Sequence, residues 1–235
     1  MREKDDTDLS VEDDDNDKNI VPLTIINTNA RSLCPKISSL IDCFTDLRAS
    51  VGIITETWFS DGEALERDIE NLSMGAGLAM ICRNRPANNR GFSHGGVAVV
   101  YRESAIKMTN IRLHNPGEYE VLCCTGILRG SGKRLVEVAC YIPPNYTVQR
   151  GRGCMEFITG VTMEMKRRYD DPMLLLAGDF NQWKVEGHLM DFPDIQEHDV
   201  GETRGSHRID RIFSNFHGLV EAGTVPPLEL SLIHI

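Results

Sequence analysis

The chain has 235 residues, 41% apolar and 26% charged, which suits one sizeable α/β domain or two small ones. Its formal net charge is −10, but residues 1–19 hold nine acidic against three basic side chains, so −6 of it is local and residues 20–235 carry only −4. No apolar run approaches the length of about 18 residues that a membrane span needs, and the acidic N-terminus holds no apolar h-region of a signal peptide. Secretion and membrane insertion are therefore not expected.

Residues 1–19 (MREKDDTDLSVEDDDNDKN) have almost no apolar side chains and cannot offset their own ordering entropy. A disordered acidic tail is expected, either a solvated linker or an interaction arm that mimics the charge of DNA. The seven cysteines form no C-x-x-C pair and no zinc-like spacing, so they read as reduced core residues of an intracellular protein, nuclear or cytoplasmic.

Residues 20–27 read as a first strand, ending in Thr28-Asn29-Ala30-Arg31-Ser32-Leu33. Pro35 suits a first helical turn, and Ile37, Leu40, Ile41, Phe44 and Leu47 recur at helical spacing. Residues 51–57 form a second short apolar run that finishes at Glu56-Thr57-Trp58. Residues 60–95 look loop-rich. Their arginines Arg83, Arg85 and Arg90 either straddle a nucleic-acid backbone or decorate an exposed hairpin. Strands are then expected at 97–101, 119–128 and 135–142, separated by Gly- and Pro-bearing turns, as a meander.

Met155, Ile158, Val161, Met165 and Tyr169 define a second helix over 151–169, whose apolar stripe is core. It leads to the most informative stretch, residues 173–181. Four apolar residues there read as a strand covered on both faces, and Gly178 lets the backbone turn just where Asp179 and Asn181 follow. Open α/β sheets place ligands at such strand ends, and residues i and i+2 point to one side. Asp179 can orient or deprotonate a water, and Asn181 can donate to a phosphate oxygen, although Gly-Asp-x-Asn is also ordinary turn chemistry. Another strand is expected at 208–214, and no internal repeat or linker is visible in 20–235.

Asn29, Glu56, Tyr141, Asp179, Asn181 and Asp210 all lie at or near predicted strand ends, and all are groups that phosphodiester hydrolysis can use. Each has a plainer reading. Asn29 can cap a turn, Glu56 can be surface, Tyr141 can be core, and Asp210 can pair with Arg208 or Arg211. Their joint occurrence favours a site.

In order along the chain, TNARSL (28–33), ITETWFSDG (54–62), GGVAVVYRE (95–103), CYIPP (140–144), LLLAGDFNQ (174–182) and TRGSHRIDRIFSN (203–215) resemble the motifs of the endonuclease/exonuclease/phosphatase superfamily. The wording is most similar to the endonuclease domain of LINE-type (non-LTR) retrotransposons. The resemblance covers residues 20–231 and implies a four-layer α/β sandwich, two mixed sheets packed face to face with helices outside. It also implies phosphodiester hydrolysis dependent on Mg²⁺ or Mn²⁺, with DNA as substrate and the reverse transcriptase domain of a longer parent polyprotein as partner.

Within that resemblance Glu56 is the metal ligand, Asn29 contacts the metal's waters or the phosphate, and Asp179 activates the attacking water. Tyr141 and Asn181 hydrogen-bond the phosphate, and Asp210 orients a histidine. Other members act on small-molecule or lipid phosphates, and a non-catalytic remnant is a further alternative. The resemblance fails after Ser231: the expected Ser-Asp-His is absent, and residues 232–235 read as a non-family end with the final strand missing. His234 is not assigned the catalytic role, and impaired activity is expected. Arg31 stands where some members carry a second metal-binding group.

Overall fold

Each of two sheets is centred on a pair of parallel strands joined by a helix. The computed structural model describes residues 22–59, 76–85, 94–112, 119–190, 192–202, 209–216, 221–225 and 230–234. In the first sheet β1 (Thr24–Asn29) passes through a 3-10 turn at Cys34–Lys36 into α1 (Ile37–Asp46) and then β2 (Val51–Thr55), parallel to β1. β3 (Leu78–Arg83) and β4 (Val97–Arg102) continue beyond β2, while β11 (Glu221–Val225) and β12 (Leu230–His234) lie beyond β1, giving the order β11-β12-β1-β2-β4-β3.

The second sheet holds β5 (Ile106–Arg112), β6 (Glu120–Leu128), β7 (Arg134–Tyr141), β8 (Met173–Asp179), β9 (Gln196–His198) and β10 (Asp210–Ser214), ordered β5-β6-β7-β8-β10-β9. Its parallel pair is β7 and β8, joined by α2 (Val148–Arg168).

Alternation along the strands builds the layers. Ile25, Ile53, Val99, Leu122, Leu135, Leu175 and Ile212 form one buried cluster between the sheets. The opposite faces are covered by helices: Leu40 and Phe44 of α1 pack with Ile26, Ile54 and Val100, and Met155, Ile158 and Val161 of α2 pack with Val138 and Leu176. Burying each such side chain is worth about 1.5–3 kcal/mol. Gly52 makes room for α1, since a Cβ there would lie 2.8 Å from the Phe44 ring. The result is the four-layer α/β sandwich of two packed mixed sheets with outer helices.

The sequence reading of several elements is corrected. The loop-rich stretch 60–95 contains β3, a short strand whose alternation of buried and half-buried residues is weak. The expected meander holds for β6 and β7, which pair antiparallel, whereas residues 97–102 form β4 and pair with β2 in the other sheet. Residues 230–234, read as lacking a strand beyond Ser231, form β12, which pairs antiparallel with both β1 and β11. All seven cysteines are free, but Cys34 is exposed and Cys43 and Cys82 are half-buried, so only four are core residues. The acidic tail 1–19 and Arg90 lie outside the described residues. No described helix is long and apolar enough to cross a membrane.

Candidate active site

The inner-face alternation that builds the apolar layer turns polar at one end of both sheets. On β1 the inward positions run Ile25, Asn27, Asn29, and Asn29 lies opposite Thr55 at the end of β2, one residue before Glu56. On the second sheet Tyr141, Asp179 and Asp210 occupy a single rung, because Asp179 is the register partner of both of the others. The C-terminal ends of both parallel pairs thus converge, the place where α/β sheets bind ligands.

Hydrogen bonds join the two sheets there. Asn29 Nδ2 donates to Glu56 Oε1 and to Asp179 Oδ2, both at 2.8 Å, and Asn29 Oδ1 accepts the Arg31 backbone N–H at 3.1 Å. The Tyr141 hydroxyl donates to Glu56 Oε1 at 3.1 Å. Burial, reinforced by the Glu56 and Asp179 carboxylates, pushes the Tyr141 hydroxyl far above its ordinary range, so it stays a neutral donor. Asp179 is fully buried, and its other oxygen accepts the Asn181 backbone N–H at 2.9 Å.

Backbone strain collects in the same place. Arg31, Ser32, Glu56, Trp58 and Asn181 all adopt left-handed conformations, with φ between +43° and +81°, and they are five of the seven described non-glycine residues that do so. Such conformations persist only where surrounding bonds over-determine them. Here Ser32 N–H donates to Glu56 O at 2.9 Å and Trp58 N–H to Gly95 O at 2.8 Å. Gly178 is fixed by close approach, because a Cβ there would sit 1.8 Å from the Cys140 carbonyl oxygen.

The structure therefore brings together Asn29, Glu56, Tyr141 and Asp179, with Asp210 on the same rung and 3% exposed. Asn181 is adjacent but partly engaged, since its Nδ2 donates to Ile142 O at 2.9 Å, leaving its second amide N–H for a ligand. Arg211 pairs with Glu197 at 2.6 Å. Arg83 is buried, donating to Val121 O at 2.9 Å, and Arg85 forms an ion pair with Glu120, so neither is a simple surface cation. His234 lies opposite Thr24, five residues from Asn29, or about 17 Å along the strand, so its backbone belongs to the far end of the sheet.

Sequence reasoning missed Asn27. Its amide is fully buried and its Nδ2 lies 3.4 Å from both Gly178 O and Arg211 O, which are register partners. It spans the sheets one rung behind Asn29, and its Oδ1 has no hydrogen-bond partner. The signal was the inward alternation Ile25-Asn27-Asn29, in which a polar residue sits where a core strand wants an apolar one.

The endonuclease/exonuclease/phosphatase family model matches residues 17–231. The chain belongs to this family. No curated protein matches the sequence. Among solved structures similar to this family member is the human Nocturnin catalytic domain with bound sulfate anion, at 11% identity and TM-score 0.64, covering 91% of this chain and 93% of that one. A Bacteroides thetaiotaomicron mannosyl-6-phosphatase matches at 11% identity and TM-score 0.63, covering 90% and 98%. A humanized D. rerio TDP2 matches at 12% identity and TM-score 0.59, covering 91% and 97%. At these identities the likeness establishes the shared fold.

The donor set of this family member suits a hard divalent cation. Both hydrogen bonds to the Glu56 carboxylate fall on Oε1, so Oε2 keeps its lone pairs. Among the described residues no group of three or more His, Cys, Asp and Glu side chains gathers around a point. A single ionised carboxylate oxygen with room for water ligands is a donor that a hard divalent cation accepts.

Proposed function

We propose that this domain is a phosphodiesterase dependent on Mg²⁺ or Mn²⁺ that nicks DNA, as the endonuclease part of a retrotransposon-type polyprotein whose reverse transcriptase uses the nick. The observation that carries the hydrolytic reading is the Asn29 amide nitrogen, which donates to both Glu56 and Asp179 and so gathers two carboxylates, one suited to bind a metal and one to act as general base, at a single point. DNA as the substrate is supported by the wording of TNARSL, ETWFSD and TRGSHRIDRIFSN. Nuclear or cytoplasmic residence accords with seven free cysteines.

In this reading Glu56 would hold the cation, which would supply Lewis-acid stabilisation of phosphate charge. Asp179, fixed by Asn29 and the Asn181 backbone, orients the attacking water and takes its proton. Tyr141, kept protonated by its surroundings, and the remaining Asn181 amide N–H donate to phosphate oxygens as charge builds on them. Asp210, on the rung beside Asp179, stands where the family resemblance would have it orient a histidine.

The test is conversion of supercoiled plasmid to relaxed circles with Mg²⁺, Mn²⁺ or EDTA. Metal-dependent nicking is expected. Equal relaxation in EDTA would exclude the metal, and hydrolysis of a sugar phosphate without nicking would exclude DNA.

A further inference from the structure

Beside the site lies a buried carboxylate that neither the motifs nor the mechanism uses. Glu120 begins β6 and is the register partner of Tyr141, so the two side chains share the inner face of the sheet. Its side chain is 9% exposed. One oxygen accepts the Arg85 guanidinium, through Nε at 2.8 Å and through Nη2; the other accepts the Gly96 backbone N–H at 2.5 Å. Burial raises the proton affinity of this carboxyl, and Arg85, the Gly96 N–H and Arg83 oppose that.

Both partners lead to the site. The Arg85 guanidinium lies 5.8 Å from the centre of the Tyr141 ring, whose hydroxyl donates to Glu56. Gly96 and Gly95 accept the backbone N–H groups of Thr57 and Trp58, the residues that follow Glu56 in its strained conformation. The packing tolerates no side chain on this turn: a Cβ on Gly95 would lie 2.5 Å from the Glu120 carboxylate, and one on Gly96 would lie 2.4 Å from Thr57 Oγ1.

We propose that Glu120 is a positioning residue for the phosphodiesterase site: its two oxygens hold Arg85 beside Tyr141 and anchor the Gly95–Gly96 turn from which the Glu56–Trp58 segment hangs. It thereby sets both the hydroxyl donor and the metal-binding carboxylate without touching the substrate. The proposal rests on the hydrolytic reading above.

The experiment compares Glu120→Ala and Glu120→Gln with the parent chain, using bis(4-nitrophenyl) phosphate and Mg²⁺, with rates normalised to folded protein from thermal unfolding curves. Glu120→Ala is expected to lower kcat about 10- to 100-fold with KM changed less than about threefold, as small misplacements of reacting groups do. Glu120→Gln keeps an acceptor for Gly96 and should recover part of that loss. A kcat within about twofold of the parent, or a loss confined to KM, overturns the proposal.

A readout on the free protein separates this from failure of the hydrolytic reading. In a Trp183→Phe background Trp58 is the sole tryptophan, and its ring meets His94 edge-on with centroids 4.7 Å apart. Releasing the Gly95–Gly96 turn should alter Trp58 emission and its quenching by the adjacent His94 ring. An unchanged signal in Glu120→Ala overturns the proposal. A changed signal in a chain that hydrolyses no diester sustains the positioning and sinks the hydrolase.

Discussion

Asn29 and Asp179, 150 residues apart and on different sheets, are joined by a 2.8 Å hydrogen bond from the amide to the carboxylate. That bond makes the amide and the carboxylate one unit. Asn29→Ala and Asp179→Ala should each lower the nicking rate by at least about 100-fold, the usual worth of a general base or a preorganised donor. The double variant should lose little more than the worse single one, because groups acting as a unit are not additive. Multiplicative losses in plasmid assays would show that they act independently.

Glu56 carries a different load. Its Oε1 is occupied by Asn29 and Tyr141, so the cation reading depends on the remaining oxygen. Glu56→Gln should preserve the hydrogen bonds to that carbonyl position while weakening Mn²⁺ binding by at least about tenfold in calorimetric titration, since a hard divalent cation binds an ionised carboxylate. Unchanged Mn²⁺ affinity would remove Glu56 from the metal site.

The parts of this arrangement legible in the sequence are those where an apolar run stops at a polar group. Residues 173–179 and 51–55 announce buried strands by composition, and Asp179 and Glu56 follow at their ends. Asn27 was hidden because it lies inside a strand, where its role depends on β8 and β10 across the gap. Glu120 was hidden for a similar reason: its partners Arg85 and Gly96 come from two other segments. Sheet membership of β4 was not legible either, since pairing is settled by strands distant in sequence. β9, only three residues long, and β3 offer too little periodicity to be read.

Gly178 lets Asp179 meet its rung. At φ +148° it occupies a conformation that side chains avoid, and a Cβ would lie 1.8 Å from Cys140 O on the paired strand β7. Gly178→Ala must separate β7 from β8 and should destabilise the fold by several kcal/mol, in the range of severe strain. Gly132→Ala is the control. That turn residue has φ +69° but nothing within 4 Å of its Cβ, so it should cost only about 1 kcal/mol. Equal midpoints for the two variants in urea unfolding would contradict the close approach.

Glu137 gives the chain a pH dependence that its catalytic groups do not explain. It is fully buried on β7, its Oε2 accepts the Cys124 thiol at 3.0 Å, and its Oε1 has no partner. Burial raises its proton affinity, opposed by the Cys124 hydrogen bond, and the carboxyl titrates at about 7 rather than near 4.5. Between those values the folded chain holds a proton that the unfolded chain releases. Stability from this group is therefore full below about pH 4.5, falls as pH rises, and is lost above about pH 7, a difference of roughly 3 kcal/mol. Glu137→Gln, which cannot ionise, should flatten that slope and be more stable than the parent at pH 8. Urea unfolding at pH 5, 6.5 and 8 measures both effects, and parallel curves for parent and variant would show that Glu137 does not hold its proton in the folded state.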